Sequence, residues 1–563
     1  MATTPNRASG NEAPDGPTAK DNLQSAKDEY QLVESVRGLP SRVKTLPRQE
    51  RFNCFEKLRA GVLLIVLGIV YLIDRFLTRR WDKLSDLLNA YRWIVPKPPT
   101  PEIWRDDAFF GRQRLVGVNP FVIRLCTAIP GNMKENVNKR REFLQKVLQQ
   151  KSGKTDFTLD TAIQENRLFI VDYDILDGMK DTFGLCSPIA LFLVDAENEL
   201  MPIAIQLYQT GENNPMFLPE DPSWLMAKLW FNHADSSYQD SFSHLGVTHL
   251  LMESVDVVTH RNLTTTHPVY EILAPHFLYL LAINTKARDY LINKNGIVDE
   301  TRSIGREGTF EIIRRQLLKW RMDEDGTLPR DLEIRGVEGE GTLPGYYYRD
   351  DALLVYDAIQ KYVHTYIHVY YDDDGYNGKH QVSNDAQIQA WVAALIAKRE
   401  PVNGGCEIKG IPLDKNGSTI STCDQLVQIL TSTIYMCSVG HAVTNFPQYE
   451  QYGFQPAYPA GMRGSPPQDP NIMVTETAII KAIPPKITCL LEMVVMKFLS
   501  TRNTRCLGNF ITRDSIPLKA DDAVKQFRKD LKKAAVRIEE RNSTRTHPYP
   551  WASPDNIPNS ISI

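Results

Sequence analysis

Two histidines five residues apart inside an apolar run, His244 and His249 in S-H-L-G-V-T-H, constrain this 563-residue chain more than any other feature. At about 100° per residue an α-helix turns their side chains roughly 140° apart, so a shared ligand requires the wider turn of a π-type helix. The alternative is two unrelated histidines, one buried and one exposed. A second pair, His441 and Asn445 in G-H-A-V-T-N, is spaced by four and shares one helical face. The chain ends P-N-S-I-S-I, an apolar terminus that frays unless its α-carboxylate is drawn inside against a cation. Neutral imidazoles with hard oxygen donors suit a first-row metal. Eight cysteines without a C-x-x-C pair argue against a thiolate site or a disulfide framework and read as buried, reduced thiols.

A net charge of −3, from 65 basic and 68 acidic residues, provides no single-signed field, so nucleic acid is not an expected partner. With 42% hydrophobic and 24% charged residues, the chain can bury a sizeable core. Residues 1–48 are rich in Pro, Gly, Ser, Asn and charge, which predicts a disordered tail. The next segment, 49–95, carries fourteen apolar residues from Ala60 to Ile73, between Lys57 and Arg59 on one side and Arg75, Arg79 and Arg80 on the other. That run is shorter than the roughly 17–25 residues of a membrane span and begins too far from Met1 for a signal peptide. It predicts a helix that rests on a membrane or covers a pocket, in a chain that is cytoplasmic or peripherally membrane-associated, with a single transmembrane helix as the alternative. Three N-x-S/T acceptors, at Asn262, Asn416 and Asn542, are too common by chance to establish secretion.

Between Phe157 and Gln206, the runs R-L-F-I-V-D-Y, P-I-A-L-F-L-V and P-I-A-I-Q-L alternate with polar turns and predict a small sheet. Beyond Trp224 the pattern is helical at Trp224–Trp230, Gln239–His260, Val355–Tyr371 and Asp424–Phe446. The expected fold class is mainly α, one large helical domain over 96–563 with a small β-sheet subdomain and no internal repeat.

Taken together these pieces resemble the lipoxygenase family. The matching motifs run from Trp104 to Ile563: F-G-R-Q-R-L-V-G-V-N-P, W-L-M-A-K, H-P-V-Y-E-I-L-A-P-H, I-N-T-K-A-R, Y-Y-Y-R-D-D and the terminal I-P-N-S-I-S-I. The resemblance implies one non-heme iron held by His244, His249, His441, Asn445 as the weak ligand, and the carboxylate of Ile563. It implies insertion of dioxygen into a polyunsaturated fatty acid, of linoleate, linolenate or arachidonate type, after hydrogen abstraction at ferric hydroxide. Ala287 matches the position where alanine accompanies S oxygenation and glycine R, and Leu291 resembles the residue that walls the oxygen pocket. Plain helix packing is the alternative for both.

Two departures stand out. Gln239-Asp240 replaces the family's H-Q, and Glu271 stands where many members have lysine. No basic residue between Gln448 and Met462 offers itself to a substrate carboxylate. No N-terminal lipid-binding β-sandwich is expected, and the Ala60–Ile73 helix takes its place as membrane contact. His364 and His368 are assigned to packing, and His260, His267 and His276 to structural hydrogen bonds. A monomer is expected. Two further readings are a fatty-acid hydroperoxide isomerase on the same fold and a catalytically silent, membrane-associated lipid-binding protein.

Overall fold

Helices make up 53% of the molecule and close around the two histidine-bearing segments. The structure, a computed structural model, describes residues 17–77, 81–91, 95–179, 184–211, 214–375, 378–502, 504–512, 517–561 and 563, without the side chains of 17–21 and 77. One apolar core runs from Tyr30 to Ile563, and a smaller one lies beneath a five-stranded sheet.

That sheet is an antiparallel meander of Arg124–Leu125, Leu168–Asp172, Ile189–Val194, Leu200–Gln206 and Met216–Phe217. Its central strands read as unbroken apolar runs because both faces are covered. Alternate residues Phe169, Val171, Phe192 and Val194 face the main core. Their neighbours Leu168, Ile170, Leu191 and Leu193 face the smaller one, with Leu144, Val147 and Leu148 of helix Arg141–Ser152. The two-residue side-chain period of a strand produces this division. The register slips between Leu191 and Phe192, where Phe192 pairs with Pro202, a residue that cannot donate to the ladder.

Helix Tyr347–Tyr370 packs against both Cys423–Tyr435 and the 27-residue Leu518–Thr544. Among the described residues one helical stretch, Cys423–Tyr452, is long and apolar enough to cross a membrane, and 94% of its apolar window is buried inside the molecule. It is a core helix, and it carries His441 and Asn445.

The N-terminal segment differs from the tail expected through residue 48. Residues 1–16 lie outside the described residues, but Tyr30, Leu32, Leu39 and Val43 are buried in the main core, and Leu32–Val33 pairs with Arg42–Val43. Ser254 Oγ donates to the Ser41 carbonyl, Arg261 to the carbonyls of Lys27 and Tyr30, and Tyr30 stacks on His260 at 4.0 Å. A few apolar side chains in a polar stretch suffice to dock it once a finished surface is present, a contribution that composition does not register. The apolar run forms helix Cys54–Leu77. Cysteines behave as expected apart from Cys54, which is exposed, and Cys506, which is partly so; among the described residues all eight are unpaired.

Candidate metal centre

The segment carrying the first histidine pair is a π-helix, Gln239–Leu251, set between α-helices Trp224–Tyr238 and Met252–Asn262. The widened turn returns a five-residue spacing to one face, and His244 Nε2 lies 3.2 Å from His249 Nε2. A second π turn, Met436–Gly440, immediately precedes His441–Asn445. The ring centroids of His244, His249 and His441 form a triangle of 4.8, 4.9 and 5.4 Å, and one donor atom from each lies within 4.8 Å of the others. All three rings are buried.

His249 has a defined tautomer. Its Nδ1–H donates to Asn284 Oδ1 across 2.9 Å, which leaves Nε2 bare. The Asn284 amide is oriented in turn by donating to the His249 carbonyl at 2.9 Å and to Glu253 Oε2 at 2.8 Å. Glu253 is held by Arg288 at 2.6 and 3.0 Å and by the Val43 amide at 3.2 Å. This chain of contacts sets the ring plane.

On the opposite side Gln448 Nε2 lies 3.2 Å from His244 Nδ1 and 3.3 Å from Asn445 Oδ1. Asn445 Nδ2 donates to the Leu499 carbonyl at 2.7 Å. Burial, then the His249 ring, then Arg302 drive the His244 pKa well below its ordinary value. Burial pushes His249 down to about 4 against its Asn284 bond and Glu253. His441 is lowered well below by burial and its two histidine neighbours, while the main chain of Ile563 acts the other way. Three neutral imidazoles are therefore ready as ligands at neutral pH.

Both ring nitrogens of His441 are buried, and the main chain of Ile563 is the one group set against the ring besides its two histidine neighbours. A buried imidazole nitrogen left unsatisfied is costly, and a cation shared with His244 and His249 would occupy the nitrogen that faces them. The residues present fit a metal.

The C-terminal segment reaches the same place. Leu507 N donates to Ile557 O at 2.8 Å and Asn559 N to Arg505 O at 3.0 Å. Ser560 Oγ donates to Leu278 O at 2.9 Å. His276 Nδ1 donates to Asn559 O at 2.8 Å. Ile561 and Ile563 are buried, so the terminal residue is fixed against His441 instead of fraying.

Ala287 is buried on helix Leu280–Tyr290, three residues after Asn284 and on its face of the helix. The half-buried Leu291 caps that helix, its N–H donating to Ala287 O at 2.8 Å. Asp240 forms an ion pair with Arg302 at 2.8 Å, and Arg302 reaches Glu492 at 2.5 Å, so the departure at 239–240 brings its own counter-ion. Gln239 donates to Thr444 O at 3.0 Å and accepts from Tyr452 at 2.7 Å, tying the two histidine-bearing segments together. Glu271 lines a cleft of about 750 Å³ with Arg59, Tyr279, Arg505 and Asn559, and none of the three clustered histidines lines it.

His267 caps helix Pro268–Leu273 and meets Asp385 at 3.2 Å, the structural role expected of it. His364 and His368 differ from the packing role. They stack on each other at 4.1 Å on the outer face of their helix, with His364 exposed. Sequence reading missed Asn284, Glu253 and Gln448. Asn284 lies inside the I-N-T-K-A-R motif, and Glu253 follows His249 by one helical turn, which is the available signal.

The lipoxygenase family profile matches residues 89–549. The allene oxide synthase-lipoxygenase protein of Plexaura homomalla is 32% identical over 96% of this chain, which spans only 52% of that protein's length. Hydroperoxide isomerase ALOXE3 of Mus musculus is 31% identical over 86% of the chain and 66% of its own. The anaerobic crystal structure of an engineered LOX in complex with arachidonate superposes with a TM-score of 0.87 at 31% identity, covering 98% of this chain and 82% of the other. With the family profile extending over most of its length and these relatives at 31–32% identity, the chain belongs to the lipoxygenase family.

Proposed function

We propose that this protein is a fatty-acid dioxygenase that converts a polyunsaturated fatty acid, of linoleate, linolenate or arachidonate type, into its S hydroperoxide. In the overall reaction one doubly allylic C–H bond breaks, one dioxygen adds to the resulting pentadienyl carbon framework, and the hydrogen ends on the peroxide. The observation that carries the reading is the buried cluster of His244, His249 and His441, one ring nitrogen from each lying within 4.8 Å of the others.

His244, His249, His441, Asn445 and the carboxylate of Ile563 would hold one non-heme iron. When bound, iron supplies one-electron redox chemistry that zinc on the same donors lacks. The chain's own residues supply the rest. Asn284 keeps the His249 proton on Nδ1 and so presents Nε2. Gln448 couples His244 to Asn445. Ala287, one turn from Asn284, is proposed to limit where oxygen reaches the substrate, with Leu291 beside it. Replacing Ala287 by glycine is expected to raise the R fraction of the product, read by chiral chromatography.

Deletion of Ile563 tests the site. Iron content and oxygen uptake with linoleate are expected to fall together, with diene absorbance absent. A truncated protein that keeps its iron and turns over normally overturns the ligand set. The second reading, isomerisation of a fatty-acid hydroperoxide, draws on the likeness to hydroperoxide isomerase ALOXE3. Feeding a purified hydroperoxide under argon separates the two, since epoxy-alcohol or ketone formation without prior oxygenation favours the isomerase.

A further inference from the structure

Helix Cys54–Leu77 carries a seam with a strict three-four spacing: Phe55, Leu58, Val62, Ile65, Ile69, Leu72 and Phe76. At about 100° per residue these seven positions fall within an arc of about 100°. Every one is exposed, from 48% at Leu72 to 78% at Phe76. The opposite arc, with Leu67, Val70 and Asp74, is buried against the body of the protein, where helix Lys486–Leu499 packs. The seam is thus an ordered outer surface, held in place by its other face. A contiguous exposed apolar strip of this length on a soluble protein marks an interaction surface.

The charges identify the occupant. From Ala60 to Ile73 the helix carries none, and its exposed charges, Lys57, Arg59 and Arg75, are all basic, Glu56 being half-buried and Asp74 buried. Lys57 and Arg75 stand eighteen residues, five turns, apart on one flank of the seam, about 27 Å along the axis at 1.5 Å per residue. A helix that pairs with a second copy in water borders its seam with charged side chains along its length, whereas between Arg59 and Asp74 only uncharged residues such as Gly61, Leu64, Gly68 and Ile73 border this one. Cβ atoms added at Gly61 or Gly68 would meet nothing within 4 Å, so both look out onto open space. Basic neighbours extend the rim at each end. Arg59 donates to the Arg502 carbonyl at 2.9 Å, and Lys486, next to the exposed Ile487, lies 3.5 Å from the Arg75 carbonyl. The fourteen-residue uncharged stretch, about 21 Å long, is too short to cross a bilayer core of about 30 Å.

We propose that this seam is a docking surface for an anionic lipid bilayer, with helix Cys54–Leu77 lying in the plane of the interface. Phe55, Leu58, Ile65 and Phe76 enter the acyl boundary, while Lys57, Arg59 and Arg75 meet lipid phosphates. The inference does not depend on the reaction proposed above.

Sedimentation of the full chain with extruded vesicles tests it, using phosphatidylcholine alone and phosphatidylcholine with about 30% phosphatidylserine. Wild-type protein is expected to partition onto the anionic vesicles. I65E/I69E is expected to lose at least tenfold in partition while keeping its thermal midpoint, because both positions are exposed. K57E/R75E is expected to lose the preference for phosphatidylserine. Wild-type protein that stays in the supernatant, or I65E/I69E that sediments like wild type, overturns the proposal. So does a lipid-free dimer by light scattering that I65E/I69E converts to monomer without vesicle binding by the wild type, since the occupant is then a second copy.

Discussion

Asn284 Oδ1 accepts the Nδ1 proton of His249 across 2.9 Å, and this contact decides which nitrogen of that ring faces His244 and His441. The asparagine is itself fixed by Glu253, which is gripped by Arg288 and by the backbone of Val43. A histidine in the middle of the molecule thus takes its orientation partly from the N-terminal segment. Removing an outer hydrogen-bond partner of this kind typically lowers metal affinity about 10–100-fold. Asn284→Ala is expected to fall in that range in a chelator competition measured by elemental analysis. Unchanged retention would show that His249 is held by packing alone.

The Asp240–Arg302–Glu492 group joins the first histidine segment to helix Lys486–Leu499 through one buried guanidinium. Arg302→Leu leaves Glu492 buried without its cation, and breaking a buried pair in this way costs about 3–5 kcal/mol. Urea denaturation is expected to show a loss of that order. Arg302→Leu combined with Glu492→Leu and Asp240→Asn is expected to recover most of it.

Gly111 sits where helix Asp107–Val116 presses on strand Leu200–Gln206, and a Cβ there would lie 1.6 Å from the Leu200 carbonyl oxygen. No rotamer change relieves a clash with backbone. Gly111→Ala is expected to destabilise by at least the roughly 1–3 kcal/mol usual for overpacking, read as a lowered thermal midpoint. A neutral result would mean that helix and strand can part without loss.

His276 holds the C-terminal segment through Asn559, and burial depresses its pKa from an ordinary 6.5 to about 4. Its neutral form is therefore the one compatible with folding. Its contribution is complete above pH 6.5 and is lost as pH falls toward 4, because only the unfolded chain takes up the proton in that window. His276→Asn, which keeps an N–H donor, is expected to flatten the stability–pH slope between about pH 4.5 and 6 by up to about 1.4 kcal/mol per pH unit. Denaturant titrations at four pH values measure it, and an unaltered slope would assign the acid sensitivity to other groups.

Much of the site was legible in the amino-acid order because its spacings are local. The five-residue step from His244 to His249 demanded a π turn, and Gln239–Leu251 is one. The four-residue step from His441 to Asn445 needs only an ordinary helix, and the short apolar runs that became Leu168–Asp172, Ile189–Val194 and Leu200–Gln206, set between polar turns, announced a sheet. What stayed hidden depended on partners far along the chain. Arg302 meets Asp240 62 residues away, and Tyr30 stacks on His260, so neither the neutralised charge at 240 nor the docked segment after Tyr30 has a local signature. The apolar stretch from Ala60 to Ile73 shows the division most clearly. Its composition and period determined an apolar helix, but only packing against the protein body decided which arc became core and which was left facing outward. Backbone periodicity is a property of neighbouring residues, whereas burial is a property of whatever surface the rest of the chain brings alongside.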